Sequence, residues 1–386
     1  MESFLDIHQV CLHKHKEELC GDQVRVIKSP DATTLVLSDG LGSGVKANIL
    51  ATLTAEIIAT MLREDADLRD VLDTVIRTLP VDPALHIAYA TFTILTIAHA
   101  DTSFRLVNFD NPPPFLVKGG RLASLETNRE TILGKEIATS QGSLEMGDFI
   151  GLVSDGVLFA GPGATINQAW DRDAIGRAIE RVFNGQVFSA HSVVNSVMAV
   201  TNQLYEWKPG DDASMVGVYR RQRHRLMVFT GPPVDNGFDY VPVFRLLDFP
   251  GRKIVCGGTT ANIVASYLIA AVETDSHSMA EGIPAIGRLP GIDLVTEGIF
   301  TLAAALERLE TSGGNIEAVE AEYNGAAMLA RELLGADAIE FLVGQSVNPA
   351  YQNPLLPKNV SIRRYLIEHI AALLTRYHKD VAISYY

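Results

Sequence analysis

The order of elements predicts two domains: an α+β amino-terminal β-sandwich flanked by helix layers over residues 1–222, and an α/β domain over residues 223–386. Three observations carry this. Strand-like runs fill the middle of the first 220 residues with helix pairs on both sides, the pattern of two sheets covered by helices. Beyond Arg225, short β-branched runs alternate with helical stretches, which favours a parallel or mixed sheet. Between the two, Arg220-Arg221-Gln222-Arg223-His224-Arg225 turns abruptly basic and polar and marks the boundary. With 386 residues, 47% hydrophobic and 20% charged, the chain has material for two buried cores.

The chain opens on an alternating stretch expected as a strand. There His8, Cys11, His13, His15 and Cys20 crowd together, but no C-x₂-C or H-x₃-H pair supplies a zinc loop, so mixed polar residues on an exposed strand face are expected. Thr34 to Leu37 reads as a strand, broken by Asp39-Gly40-Leu41-Gly42-Ser43-Gly44. In the helix that follows, Val45, Ile49, Leu53 and Ile57 with Leu50, Ile58, Met61 and Leu62 make one apolar face. A second helix spans about Leu68 to Thr78. Ala88 to Ala98, Ser103 to Asn108 and Phe115 to Val117, with a Gly119-Gly120 turn, form a strand meander. Phe149 to Val153 is the next strand; helices over about Asp173 to Phe183 and Ser192 to Tyr205 precede a strand from Ser214 to Tyr219. In the second domain, Leu226 to Phe229, Lys253 to Cys256, Ile292 to Val295, Ala338 to Val343 and a short run from Val381 read as strands. Its helices are expected over Thr260 to Ala271, near Phe300 to Leu309, Glu317 to Leu334 and Ile362 to Tyr377. Asn348-Pro349 and Asn353-Pro354-Leu355-Leu356-Pro357 read as ordered loop.

A formal net charge of -14 argues against a nucleic acid or an anionic membrane as partner, because such binders need clustered Lys and Arg. No apolar stretch approaches the roughly 20 residues that span a bilayer, and the acidic amino terminus lacks the regions of a signal peptide. The expected location is the cytoplasm. Cys11, Cys20 and Cys256 form no paired spacing and leave an odd count, which suits a reducing compartment.

The chemistry is carried by four aspartate stations: Gly21-Asp22, Ser38-Asp39-Gly40, Ser154-Asp155-Gly156 and Gly210-Asp211-Asp212. Taken singly, each Asp-Gly is a turn dipeptide before it is a ligand. Their recurrence changes the reading, because two Ser-Asp-Gly stations each close an apolar strand and an acidic pair stands immediately before another. A sheet that delivers carboxylates to one rim suits Mg²⁺ or Mn²⁺, which take hard oxygen ligands. Two such ions activate a water and clamp a phosphate, so the pattern points to a metal-dependent hydrolase of phosphate esters. Gly40 leaves room for its own carbonyl to approach a hydrated ion. Asp212 either helps hold an ion or caps the turn.

The ordered set Gly21-Asp22, Leu37 to Gly44 as Leu-Ser-Asp-Gly-Leu-Gly-Ser-Gly, Pro113-Pro114-Phe115-Leu116, Gly147-Asp148 leading to Leu152-Val153-Ser154-Asp155-Gly156-Val157, and Gly210-Asp211-Asp212-Ala213-Ser214 resembles the metal-dependent serine/threonine phosphatases of the bacterial stage II sporulation protein E family. The resemblance covers about residues 1 to 220. It implies a β-sandwich between helix layers, a centre of two Mn²⁺ or Mg²⁺ ions, and water attacking a phosphoserine or phosphothreonine. On that pattern Asp39 bridges both ions, Gly40 adds its carbonyl, Asp155 and Asp211 hold one ion, and Asp22 orients waters on the other. The implied partner is a phosphorylated bacterial regulatory protein of the anti-sigma-factor antagonist type; a homodimer is compatible with the pattern. Two departures stand out: Asp110-Asn111 replaces the family's Gly-His pair, and Ser214 replaces a threonine.

In the second domain, Cys256-Gly257-Gly258-Thr259-Thr260-Ala261 lies between a strand and a helix without the lysine of a Walker loop. Gly257, Gly258, Thr259 and Thr260 either bind an anion at the helix N-terminus or form a tight turn capped by a threonine. Asp293, Thr296 and Glu297 also end a strand and are candidates to meet that loop. A regulatory or docking role is expected for this domain. The rival to catalysis is a phosphatase-fold binding or scaffold module in bacterial signalling.

Overall fold

In the computed structural model the chain forms two compact units, Met1–Gln222 and Arg223–Tyr386. The structure describes residues 3–64, 66–78, 90–132, 134–161, 170–184, 189–346 and 362–386. The loops expected at Asn348-Pro349 and Asn353 to Pro357, and the start of the strand expected from Ala88, lie outside them.

The first unit begins with β1 (Ser3–Leu12), β2 (Asp22–Lys28) and β3 (Ala32–Gly40), then α1 (Gly44–Arg63) and α2 (Leu68–Thr78). There follow β4 (Ala90–Ala98), β5 (Ser103–Phe109), β6 (Phe115–Lys118), β7 (Arg121–Ala123), β8 (Asn128–Ile132), β9 (Lys135–Ser143) and β10 (Phe149–Val153). The unit closes with α3 (Asp155–Leu158), α4 (Arg172–Phe183), α5 (Ala190–Leu204) and β11 (Ala213–Gln222). Two antiparallel sheets result, ordered β1-β11-β10-β6-β7 and β2-β3-β4-β5-β9-β8. The expected meander is therefore shared between both sheets.

Three apolar layers hold this sandwich. Leu35, Leu37, Leu95, Ile97, Ile150, Leu152 and Val216 fill the space between the sheets. Val36, Ile94 and Val107 face the other way, onto Ala55, Ile58, Val71 and Val75 of α1 and α2. On the outer face of the second sheet, Phe149, Val153 and Met215 pack against Ile175 and Ile179 of α4 and Val194 and Val197 of α5. The run Leu35-Val36-Leu37 shows no polar alternation because both faces of β3 are covered.

Helix α1 departs from expectation in two ways. Its buried face is Ala47, Ala51, Thr54, Ala55, Ile58 and Ala59, whereas Val45 and Ile49 are 60% and 58% exposed. The cause is close approach: a Cβ on Gly40 would lie 2.1 Å from the Ala47 carbonyl oxygen, so only small side chains fit where the helix meets the end of β3. At 20 residues α1 is also long and apolar enough to cross a membrane, against the expectation that no stretch came near that length. Its small-residue face lies on the sheet.

The second unit contains β12 (Arg225–Thr230), α6 (Tyr240–Leu247), β13 (Arg252–Cys256), α7 (Gly258–Leu268), β14 (Glu273–Asp275), β15 (Ile286–Leu289) and β16 (Ile292–Thr296). It ends with α8 (Ile299–Ser312), α9 (Gly325–Gly335), β17 (Ala338–Val343), α10 (Ile362–Arg376) and β18 (Asp380–Tyr385). The sheet order is β14-β15-β16-β13-β12-β17-β18, parallel from β16 to β18 with β14 and β15 antiparallel at one edge. Leu226, Val228 and Ile254 face α8, α9 and α10; Met227, Phe229 and Val255 face α6 and α7. Two helix limits differ from expectation. The single helix expected from Glu317 to Leu334 is a 3-10 turn at Ile316–Ala318 and then α9, because Asn324 caps the amides of Ala326 and Ala327. Helix α7 stops at Leu268, where Ile269 takes a left-handed conformation with φ 51°.

Each unit has its own core, so residues 1–222 expressed alone are expected to melt in one cooperative transition followed by circular dichroism. An insoluble or molten fragment would show that the first unit depends on the second.

Candidate metal centre

The antiparallel register of β2 and β3 sets Asp22 opposite Asp39, at the start of one strand and the end of the other. The Gly40 amide donates to the Gly21 carbonyl at 3.1 Å and closes that pair of strands. From the other sheet, β10 ends at Val153, and Asp155 is the first residue of α3. Asp211 and Asp212 stand immediately before β11. Strand ends from both sheets therefore present these aspartates to one rim of the sandwich.

Ser154 fastens the two sheets at this point. Its hydroxyl donates to Asp22 Oδ2 at 2.7 Å and accepts from the Ser214 amide at 2.8 Å, while its own amide donates to the Ser214 carbonyl at 3.0 Å. Asp22 and Asp212 are buried, 3% and 4% exposed, and each keeps one buried oxygen, Asp22 Oδ1 and Asp212 Oδ2, without a hydrogen-bond partner. The other oxygen of Asp212 accepts from the Lys14 amide at 3.0 Å, and the Lys14 ammonium lies 3.8 Å from Asp211 Oδ1. Glycines allow the crowding: a Cβ on Gly156 would lie 2.0 Å from the Asp212 carbonyl oxygen, and one on Gly21 would lie 2.8 Å from Asp212 Oδ2.

The electrostatics follow from burying like charges together. Asp39 is pushed up to about 10, first by burial and then by the charges of Asp22, Asp155 and Asp211. Asp22 rises to about 6 through burial, against the hydrogen bonds of Ser154 and Ser214. Asp155 and Asp211 are also raised, burial leading in both; Lys14 opposes the rise at Asp211. The Tyr205 phenol, which donates to the Gly156 carbonyl at 2.8 Å, is raised by burial and by the charges of Asp211, Asp155 and Asp22. Carboxylates that repel one another, orphaned buried oxygens and an all-oxygen donor set fit hard divalent cations such as Mg²⁺ or Mn²⁺. No three of these aspartates bring oxygens within 4.8 Å of one another; among the described residues only Cys11, His13 and Cys20 form so tight a group.

Asp22, Asp39, Asp155, Asp211 and Asp212 all reach this rim, and Gly40 stands beside Asp39. Sequence reasoning assigned no role to Ser154, Tyr205 or Lys14. For Ser154 a signal existed, since the serine recurs before both Asp-Gly pairs; for Tyr205 and Lys14 none did, because their contacts are long-range. The expectation of unpaired cysteines is overturned, since Cys11 and Cys20 are joined in a disulfide and only Cys256 is free. The chain turns back after β1, which returns Cys20 beside Cys11.

In the second unit, Gly257 has φ +117° and its amide donates to the Thr296 carbonyl at 2.8 Å. Thr260 Oγ1, buried, accepts from the Gly231 amide at 2.9 Å, so this threonine ties the loop to the end of β12. Gly258 and Thr259 form the first turn of α7. Glu297 accepts from the amides of Phe300 and Thr301 at the start of α8. Asp293 does not meet the loop: it accepts from the Lys253 amide and pairs with Arg252, at the opposite end of the sheet.

The family model of stage II sporulation protein E (SpoIIE) matches residues 29–221, half of the chain. Asp22 and the preceding loop lie before that span. Among solved structures, the PP2C phosphatase domain with a fragment of the regulatory domain of SpoIIE from Bacillus subtilis is 18% identical, covering 57% of this chain and 64% of that one, with a TM-score of 0.49. The RsbU and RsbW domains of Rv1364c from Mycobacterium tuberculosis are 18% identical over 56% of this chain and 60% of that one, TM-score 0.47. The catalytic domain of the serine threonine protein phosphatase PstP, in complex with 2 manganese ions, is 14% identical over 57% of this chain and 100% of that one, TM-score 0.38. The chain thus spans less than two thirds of the first two structures. No curated protein matches it.

Raised carboxyls make the folded, metal-free protein bind more protons than the unfolded chain above the ordinary carboxylate range. Their stabilising contribution is complete below about pH 4 and is lost as pH rises through about 6 for Asp22 and on towards about 10 for Asp39. In chelator the melting temperature is therefore expected to fall between about pH 5 and about pH 8, and Mn²⁺ should reduce that fall by binding the ionised set. A melting temperature indifferent to both would refute the cation reading. Ser154→Ala should cost about 1–3 kcal/mol of stability in denaturant titrations, because Asp22 loses its buried donor.

Proposed function

The chain belongs to the stage II sporulation protein E family, and from that premise we propose that it is a Mn²⁺- or Mg²⁺-dependent phosphatase acting on phosphoserine or phosphothreonine of a bacterial regulatory protein. The observation that carries this reading is the convergence of Asp22, Asp39, Asp155 and Asp211 from both sheets on one rim, with carboxyls raised by burial and mutual charge. Two bound ions would lower the pKa of a shared water and offset the charge of the phosphoryl oxygens. In this reading Asp39, with the Gly40 carbonyl beside it, would serve both ions, Asp155 and Asp211 would help hold one of them, and Asp22 would orient waters at the other. Ser154 keeps Asp22 aimed by its hydroxyl. Asp212, held at Oδ1 by the Lys14 amide, offers Oδ2 to a cation or its water.

A substrate of the anti-sigma-factor antagonist type remains part of the proposal. The second unit lies outside the family match; its proposed role is regulatory, through the loop at Gly257, Gly258, Thr259 and Thr260.

The test is hydrolysis of p-nitrophenyl phosphate and of a phosphoserine peptide, with Mn²⁺ and with chelator. Asp39→Asn should lower kcat at least about a thousandfold while preserving the circular dichroism spectrum, since it removes the charge between both ions. Wild-type protein that binds Mn²⁺ and a phosphoprotein without turning it over would favour the scaffold reading.

A further inference from the structure

The loop between β1 and β2 runs along the aspartate rim, and a cysteine stands at each end of it. Cys11 is the penultimate residue of β1; Cys20, 7% exposed, precedes Gly21-Asp22. Between them the loop touches both halves of the sandwich. Towards β11, the Lys14 amide donates to Asp212 Oδ1 at 3.0 Å, its ammonium lies 3.8 Å from Asp211, and the His15 amide donates to the Pro209 carbonyl at 2.8 Å. Towards α1, Ser43 donates to Glu17 at 3.4 Å, Gly44 lies against the Glu17 carboxylate, and Asn48 Nδ2 donates to the Cys20 carbonyl at 2.7 Å.

We propose that the Cys11–Cys20 disulfide is a reducible clasp that sets the cation affinity of the aspartate rim. The inference rests on reading that rim as a cation site. Closing a short loop removes conformational freedom that the open loop would lose on ordering. With the clasp closed, the Lys14 amide stays on Asp212 Oδ1, which aims the unpartnered Oδ2, and Gly21-Asp22 is held against Asp39-Gly40. Opening it lets the segment from His13 to Leu19 fluctuate and loosens a hydrogen bond that orients a carboxylate beside the ions. The ammonium of Lys14 competes with a cation for Asp211, but the pair is long and half-exposed, so this opposing effect is the smaller.

Opening is a thiol–disulfide exchange with a protein or small-molecule dithiol as reductant. One thiolate of the dithiol attacks Cys11 Sγ, the S–S bond breaks, and Cys20 leaves as a thiolate that takes a proton. The second thiolate of the reductant then displaces Cys11, which is protonated in turn. Two electrons pass to the clasp, and the dithiol ends as its own disulfide.

The test uses the full chain, oxidised with glutathione disulfide or reduced with a phosphine, and reads Mn²⁺ affinity by calorimetry and by the Mn²⁺-induced melting shift. Alkylation under denaturing conditions should count one thiol after oxidation, Cys256, and three after reduction. Mn²⁺ should bind about tenfold more weakly to the reduced protein, the lower end of what loss of an orienting partner costs. Cys11→Ser should match the reduced wild type in both redox states, and Cys20→Ser repeats the comparison should that variant fold poorly. Three thiols after oxidation, equal affinity in the two states, or a redox response that persists in both serine variants would overturn the proposal. So would stoichiometric zinc in the reduced protein that Cys11→Ser abolishes, which would make Cys11, His13 and Cys20 a metal site instead. A redox-dependent Mn²⁺ affinity without phosphatase activity would sustain the clasp while refuting the catalytic reading.

Discussion

The first unit is organised around a repulsion. Several carboxylates from both sheets are held at one rim where burial and mutual charge oppose their ionisation, and no arrangement of water alone would favour collecting them there. The fold must overcome this with interactions elsewhere. It does so with three apolar layers and with Ser154, whose hydroxyl and amide join β2, β10 and β11 within a single residue. The site is thus unfavourable locally and sustained globally, as functional sites commonly are.

Small residues serve the same end. Gly40 and Gly156 lie where backbones meet closely, so that α1 and the start of β11 can approach the carboxylates. The cost is that α1 turns its larger apolar side chains outward. An amphipathic reading of that helix weighs bulk, whereas the sheet selects for the side chains that let the helix axis come near.

The second unit places its glycines differently. The strand order around β12 puts Gly231, Gly257 and Gly298 at the carboxyl ends of parallel strands, where open α/β sheets bind ligands. Here the threonine that looked available to a ligand is already engaged, since Thr260 accepts the Gly231 amide. The remaining backbone of the α7 turn, at Gly258 and Thr259, is what a partner could still address.

Much of this was legible in the sequence because the relevant physics is local. Period-two and helical hydrophobic patterns located most of the elements that carry a buried apolar run but missed β2, β7, β8, β9, α3, α6, β14 and β15, and Asp-Gly steps after apolar runs marked Asp39 and Asp155 as strand-end carboxylates. The α9 boundary at Asn324 was missed even though its cap is local, because the apolar pattern continues through it. What only the tertiary structure decided is everything that depends on separate segments sharing one volume: that Asp212 meets Lys14, that the Tyr205 hydroxyl reaches the Gly156 carbonyl, that Cys11 pairs with Cys20, and that Asp293 stands at the opposite end of the sheet from the Gly257 loop. Sequence spacing determines which face of an element a side chain occupies; which element comes to stand opposite it is settled by the packing of sheets and helices, where close approach and buried charge are balanced over the whole unit.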